Sequence, residues 1–280
     1  MKTIRFFSYA VIATLAISIA FTSCKKDLKF SYRAAQDNST AEAAFNRAYN
    51  NVDKEAKNVD SKTLKLIDST TCPILTIETL PGAINGYPKR ITLDYGSSYC
   101  QCTDGYNRKG KIISIITDVY IATGCKVTST FENYHEMQGS IDCYVQGTQV
   151  IENKGKNTAQ HPVYSVTVTN ASVTTSEGII GWGSYHEFEF FSGYDSWMNP
   201  FDDQYYLTGS SQGTDINGES FEVDITQKLE LAVNCHWVKS GKLKIVNPGY
   251  SDIDVNYGNG TCDGEAVATV EGKDYVFYMY

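Results

Sequence analysis

Histidine is scarce in this chain, and its four histidines stand far apart. None falls in an HxH or HExxH spacing, the local patterns through which imidazoles bind a catalytic metal. The cysteines likewise contain no Cys-x-x-Cys pair, which excludes the usual signature of a zinc or dithiol redox site. These absences predict neither a metal nor a cofactor.

Basic residues are outnumbered, since 24 Lys and Arg stand against 32 Asp and Glu and give a formal net charge of −8. The first 23 residues hold Lys2 and Arg5 but no acidic residue, so the remainder is more acidic still. Nucleic acids and anionic lipid surfaces favour basic protein surfaces. We therefore expect no nucleic-acid partner and no polybasic contact with a membrane.

A long apolar run occurs only at the start of the chain, where residues 6–21 follow Lys2 and Arg5. The run is short for a membrane span and ends in Phe21-Thr22-Ser23-Cys24, which has the form of a bacterial lipobox. Acyl chains on such a cysteine hold a protein on a membrane, because each buried methylene contributes about 0.8 kcal/mol. We predict a lipoprotein signal peptide over residues 1–23 and lipidation of Cys24, with an ordinary secretory signal as the alternative.

Seven further cysteines follow Cys24, which fits a compartment where disulfides form. Because seven is odd, at least one thiol stays free or pairs between chains. The pairs that we predict are Cys72 with Cys100 and Cys235 with Cys262.

Residues 24–71 are predicted to form a polar tether with one short helix. Ser39 and Glu42 have the spacing of a capping box, and apolar residues follow at helical spacing from about residue 40 to residue 57. The apolar stripe is mostly alanine, so this helix should bury little surface and either docks on the next domain or acts as a spacer. Further on, Asp68-Ser69-Thr70 resembles a Bacteroidota O-glycosylation sequon with Ser69 as acceptor, although an exposed linker has the same composition.

From Cys72 onward, Val, Ile, Thr, Tyr and Phe alternate with polar residues, and turn dipeptides such as Asn217-Gly218 and Glu271-Gly272 interrupt the pattern. Strict alternation is typical of antiparallel sheets with one packed face. We predict an all-β fold in which antiparallel meander sheets form a sandwich or a partly closed barrel, preceded by one short α-helix. Residues 72–280 are predicted to be a single β domain.

Two segments of this domain share the pattern Tyr-Gly-x-x-x-Cys, one from Tyr95 to Cys100 and one from Tyr257 to Cys262. Each is followed by Asp-Gly, but the residues beyond diverge. This favours a pair of structural clasps near the two ends of the β domain over a duplicated site.

Aromatic residues give the most suggestive binding signal, with 20 Tyr, 12 Phe and 3 Trp in the chain. They crowd residues 185–206, around the longest predicted loop. Aromatic side chains in loops bind sugars or partner proteins, although tyrosine also packs well in half-buried strands. We predict that the ligand-contacting residues are Tyr194, Trp197, Phe201 and Tyr205.

Carboxylates offer two weaker possibilities. Glu187 and Glu189 share one strand face, as a pair that serves glycoside hydrolysis could. Asp195, Asp202 and Asp203 cluster in the loop, where a calcium ion could use them. Solvated strand faces and loop turns account for both sets, so we predict no catalytic residue and no metal ligand.

After the lipobox and the short helix, several motifs follow in a fixed order. They are Ile91-Thr92-Leu93-Asp94-Tyr95-Gly96, Phe131-Glu132-Asn133-Tyr134, Leu207-Thr208-Gly209-Ser210, Cys235-His236-Trp237-Val238 and Gly260-Thr261-Cys262-Asp263. In this order they resemble a family of uncharacterised outer-membrane lipoproteins from Bacteroidota. The resemblance covers nearly the whole chain and implies an exported β domain, but it supplies no activity and no catalytic residues. Cys102, Cys125 and Cys143 depart from the family pattern.

These observations predict a lipid-anchored cell-envelope protein with a non-catalytic binding or scaffolding role. The expected partners are the membrane, through the lipid anchor, and a glycan or an envelope protein. An envelope polysaccharide hydrolase and a glycan-binding accessory protein are the alternatives. The predicted location is the outer membrane, with the domain facing the periplasm or the cell surface.

Overall fold

The computed structural model describes residues 33–57, 59, 72–195, 202–235 and 237–278. In these residues the chain forms one helix, α1 (Arg33–Lys57), and fourteen strands. The strands are β1 (Ile74–Ile84), β2 (Tyr87–Asp94), β3 (Cys100–Gln101), β4 (Asn107–Ile116), β5 (Lys126–Gln138), β6 (Ile141–Lys156), β7 (Pro162–Thr174), β8 (Ile179–Ser192), β9 (Gln204–Thr214), β10 (Ser220–Ala232), β11 (Ser240–Val246), β12 (Ile253–Asn259), β13 (Glu265–Val270) and β14 (Lys273–Tyr278).

All fourteen strands belong to one antiparallel sheet in which each long strand pairs with its neighbours in the sequence. The short β3 pairs beside β4. Turns such as Asn85-Gly86 and Glu271-Gly272 adopt positive φ, which lets adjacent strands meet through tight connections. The predicted all-β antiparallel meander with one helix is confirmed. Among the described strands, β1 and β14 stay at the two edges, so the sheet does not close into a barrel.

Helix α1 lies on the inner face of this sheet and contacts the strands from β4 to β9. Its alanines Ala41, Ala44 and Ala48 are fully buried and let the helix approach the sheet closely. Phe45 stacks on Trp182 with ring centroids 5.3 Å apart, and Tyr49 stacks on Phe188 at 4.8 Å. The helix therefore docks, and it shares one hydrophobic core with the sheet.

The helix begins earlier than the capping box predicted. Ser39 lies inside α1, and the Thr40 hydroxyl donates to the carbonyl oxygen of Gln36 at 2.9 Å. Asn38 binds the sheet, because its Oδ1 accepts hydrogen bonds from Trp182 Nε1 at 2.9 Å and from Ser211 Oγ at 2.7 Å. The N-cap assignment of Ser39 was wrong because the helix already begins at Arg33, and Asp37 and Asn38 before Ser39 are buried against the sheet.

The twin Tyr-Gly segments have matching local geometry. Asp94 Oδ1 accepts the Gly96 amide at 2.9 Å, and Asn256 Oδ1 accepts the Gly258 amide at 3.0 Å. The following Asp-Gly turns match too, since Asp104 and Asp263 each accept a backbone amide two residues ahead. These Asx turns fix the backbone that leads into and out of each cysteine.

Each twin segment is also covalently pinned. Disulfides join Cys72 to Cys100 and Cys235 to Cys262, which are the predicted pairs. They close loops with sequence separations of 28 and 27 residues. In the chain-entropy picture a loop of that size stabilises the folded state by about 3–4 kcal/mol.

The first segment packs on Gly110 at a bulge between β4 and β5. Gly110 accepts the Tyr95 amide and donates its own amide to the Gly96 carbonyl, at 2.9 and 2.7 Å. It has a φ of +81°, and a Cβ at this position would lie 2.0 Å from the carbonyl oxygen of Asn133. Only glycine fits this close approach.

Candidate functional site

The residues predicted to bind a ligand are placed differently from one another. Tyr194 is half-buried, with the Lys156 ammonium 5.6 Å from its ring centroid. Tyr205 is 9% exposed and packs on Phe188 and Phe190 in the core. It shares the inward phase of β9 with Leu207 and contributes to the core, and its contact with a ligand stays a prediction. Trp197 and Phe201 lie outside the described residues.

The next residue, Tyr206, points to the outer face and is the centre of a different surface. Across the strands it lies opposite Glu189 on β8 and Glu230 on β10. We call this surface the outer patch and define it by Asn157, His161, Glu189, Phe191, Tyr206, Lys228, Glu230 and Lys239.

Two side chains pack directly on the Tyr206 ring. Phe191 stacks on it with centroids 4.2 Å apart and planes 20° from parallel. The Lys228 ammonium lies 3.4 Å from the ring centroid, in cation–π geometry. Lys228 is exposed, so an incoming ligand can displace its side chain and reach the aromatic ring.

Glu189 is fixed on one side of the aromatic pair. Its Oε1 accepts a hydrogen bond from Asn157 Nδ2 at 2.9 Å and lies 2.8 Å from His161 Nδ1. The hydrogen bond from His161 lowers the pKa of the Glu189 carboxyl, and Asn157 adds to this effect. The carboxylate is therefore held ionised and in one orientation.

Glu230 is fixed on the other side. Its Oε1 lies 2.6 Å from Lys239 Nζ, and its Oε2 accepts a hydrogen bond from Ser240 Oγ at 3.3 Å. The outer patch thus has an aromatic pair with an oriented carboxylate on each side. Such a surface can stack on the apolar C–H face of a sugar while the carboxylates accept hydrogen bonds from its hydroxyls.

The alternation of β9 contains the signal for this surface. Tyr205 and Leu207 are both apolar and share one phase, so Tyr206 and Thr208 must face the other way. The crowding of aromatics over residues 185–206 does not separate Tyr205 from Tyr206, whereas this strand phase does. Lys228 and Glu230 lie on a strand that joins the patch only through tertiary pairing, so no local pattern marks them.

No protein-family model, no curated protein and no solved structure matches this chain. The resemblance to Bacteroidota lipoproteins therefore rests on the ordered motifs alone. In the part of the chain that the structure describes, no helix is long and apolar enough to cross a membrane.

The carboxylates considered for catalysis or calcium binding have other partners. Glu187 accepts a hydrogen bond from the Tyr185 hydroxyl at 2.8 Å, separately from the contacts of Glu189. Asp203 is buried, and its carboxylate lies 3.7 Å from Lys57 Nζ at the end of α1. It therefore anchors the end of the helix.

Strand β9 contains a serine motif that the sequence analysis does not include. Gly209-Ser210-Ser211-Gln212-Gly213 fits the pattern Gly-x-Ser-x-Gly, which in α/β-hydrolases presents a nucleophile at a sharp strand-to-helix turn. Here it lies within strand β9, and the buried Ser211 hydroxyl donates to Asn38 of the helix. Its role is to hold α1 on the sheet.

Of the remaining predicted positions, some lie outside the described residues and others lie within them. Cys24 and Ser69 lie outside them, so lipidation and O-glycosylation stay predictions. Cys102, Cys125 and Cys143 are free thiols in the described part of the chain. Cys72, Cys100 and Cys102 are close enough together to hold a metal if reduced, but the first two form a disulfide and offer no thiolate in this state.

Proposed function

We propose that this chain is a lipid-anchored cell-envelope protein that binds a glycan through the outer patch and does not catalyse a reaction on it. The observation that carries the proposal is the stacked Phe191–Tyr206 pair between two oriented carboxylates. The lipobox at Cys24 supports the lipid anchor, and the number of cysteines supports export to a compartment where disulfides form. The ordered motifs support membership of the uncharacterised Bacteroidota outer-membrane lipoproteins.

The architecture suits a binding scaffold. Helix α1 fills the inner face of the sheet with buried side chains, which stiffens the strands that carry the outer patch. Ligand groups held on strands keep their positions better than groups on loops, so less ordering entropy is lost on binding. A polysaccharide hydrolase is the less favoured alternative, since the carboxylates of Glu187 and Glu189 are each occupied by separate partners.

Replacing Tyr206 with alanine tests this proposal. We expect the affinity of the variant for the glycan that the wild type binds to fall at least about tenfold, because truncating a central aromatic anchor typically costs more than about 1.4 kcal/mol. The measurement is retention of the purified chain on immobilised peptidoglycan and on immobilised capsular polysaccharide.

Tyr185→Ala is the matched control. Like Tyr206, Tyr185 faces the outer side of the sheet, but it lies on β8. It is 46% exposed and contacts Glu187 outside the patch. Equal loss in both variants, or retention unchanged by Tyr206→Ala, would contradict binding through the outer patch. Retention of an envelope protein in place of either glycan would favour the scaffolding role.

A further inference from the structure

Three sulfur atoms meet beside the first Tyr-Gly segment. The Sγ atoms of Cys72, Cys100 and Cys102 all lie within 4.8 Å of one another. Cys72 and Cys100 form the disulfide, and the free Sγ of Cys102 is 3.4 Å from Cys72 Sγ. A thiol is therefore in van der Waals contact with a disulfide sulfur.

Strand geometry produces this cluster. Cys100 opens the short strand β3, and Cys102 follows two residues later, so both side chains point to the same side. The Cys102 backbone is fixed because its amide donates to the Tyr106 carbonyl at 2.8 Å and its carbonyl accepts the Gly105 amide at 3.1 Å. Cys72 lies just before the edge strand β1 and reaches either cysteine.

We propose that Cys72 is a shared disulfide partner and that its bridge exchanges between Cys100 and Cys102. The Cys102 thiolate attacks Cys72 Sγ, and a Cys72–Cys102 bond forms as the Cys72–Cys100 bond breaks. The electron pair of the broken bond stays on Cys100 Sγ, which takes up the proton that Cys102 released. The step is redox-neutral and needs no external oxidant or reductant.

The approach requires one local movement. In-line attack across a disulfide would place the attacking sulfur about 5.4 Å from the leaving sulfur. The three sulfurs are within 4.8 Å of one another, so Cys102 approaches from the side. A rotamer change of Cys102, with its backbone still held by the turn, brings the sulfur into line.

The charges around Cys102 set the rate of exchange. Arg108 on β4, Asp104 in the adjoining turn and Tyr95 after β2 are the titratable groups that face it. Burial raises the pKa of the Cys102 thiol, and Arg108 only partly offsets this effect. Because the thiolate is the nucleophile, exchange is expected to be slow at neutral pH and to become about tenfold faster with each unit that the pH is raised toward the thiol pKa.

The exchange gives the clasp two covalent forms. In one the free thiol is Cys102, and in the other it is Cys100, two residues earlier in the chain. The bridge from Cys72 then pins either the start of β3 or the turn that follows it, so the edge of the sheet keeps a covalent tie in both forms.

Disulfide mapping of the full chain tests the proposal. The purified protein is held at pH 8.5, quenched in acid, denatured and labelled with N-ethylmaleimide before peptide mass spectrometry. In the wild type we expect label on both Cys100 and Cys102, and in Cys102→Ser we expect label on Cys100 to fall to background. In Cys100→Ser we expect Cys72 and Cys102 to be joined and unlabelled.

Cys143→Ser is the matched control, because Cys143 is a free thiol outside the cluster and should leave the mapping unchanged. Two outcomes would overturn exchange. One is label on Cys102 with none on Cys100 in the wild type, and the other is label on both Cys72 and Cys102 in a Cys100→Ser protein whose circular dichroism matches the wild type.

Discussion

Replacing Phe45 with alanine should lower the free energy of unfolding by about 3–5 kcal/mol, the usual cost of removing a fully buried phenylalanine. Phe45 is 1% exposed at the centre of α1. Its ring stacks on Trp182 and meets the edge of Phe131, with centroids 5.3 and 5.6 Å away. The substitution leaves a cavity between the helix and the sheet. Guanidinium unfolding followed by tryptophan fluorescence measures the shift in the transition midpoint.

Phe277→Ala provides the matched comparison for Phe45→Ala. Phe277 lies on the edge strand β14 and is 37% exposed, so its truncation should cost less than about 1 kcal/mol. If the two variants unfold at the same midpoint, then α1 does not form part of the cooperative core. Limited proteolysis would then release the helix from both proteins before the sheet unfolds.

The importance of this helix was not visible in the sequence. The alternation and turn residues from Cys72 onward are local signals, and they sufficed to predict an antiparallel meander. In the sequence the alanine stripe of α1 is only weakly apolar, and its contribution to stability depends on the surface against which it packs. Small side chains bury little area themselves, but they let Phe45 and Tyr49 reach the aromatic side chains of β8. These aromatic contacts are tertiary, so the periodicity of the helix sequence does not predict them.

The candidate site could be predicted only in part, because some of its residues meet only through tertiary pairing. The crowding of aromatics around residues 185–206 includes Phe191 and Tyr206 of the outer patch, but it also includes Tyr205, which faces the core. Strand phase separates Tyr205 from Tyr206, and that information is in the sequence. The contributions of Lys228 and Glu230 depend on β10 pairing beside β9, which needs the three-dimensional structure.

An ion network centred on the buried side chains of Arg108 and Glu136 also joins the sheet to the helix. Arg108 of β4 is 1% exposed, and its guanidinium binds both oxygens of Asp104 at 2.7 and 2.6 Å. Its Nε donates to the Tyr134 hydroxyl at 3.1 Å. Glu136, also 1% exposed, lies 3.9 Å from Arg108 and accepts a hydrogen bond from Arg47 of α1 at 2.9 Å.

Arg108→Met is expected to reduce the free energy of unfolding by about 1.5–3 kcal/mol, the range for hydrogen bonds to charged groups, because the half-exposed Asp104 carboxylate can be hydrated once Arg108 is removed. Asp104 would lose both its hydrogen bonds to the guanidinium, and Glu136 would keep Arg47 as its ionic partner and the Tyr134 hydroxyl as a donor. Double replacement of Arg108 and Glu136 by methionine should cost less than the sum of the single changes, with a coupling of about 0.5–3 kcal/mol. Chemical denaturation of the wild type, both single variants and the double variant measures this coupling.

The pH dependence gives a further check on Arg108→Met. Burial opposes ionisation of Asp104, but the hydrogen bonds from Arg108 outweigh it and lower the pKa of this carboxyl below its ordinary 3.8. Stability from a lowered carboxyl pKa is present above the unfolded-state value and is lost as the pH falls through the folded-state value. The difference between wild type and Arg108→Met should therefore shrink when unfolding is measured below pH 3.8.

Lys111→Met is the matched control, because Lys111 also lies on β4 and pairs with an aspartate, Asp94, at 3.0 Å. That pair is exposed and screened by water, so its loss should change stability little at any pH. If Arg108→Met behaves like Lys111→Met, the buried network contributes nothing beyond a surface ion pair. A large loss that does not diminish at acid pH would instead assign the effect to the packing of the Arg108 side chain.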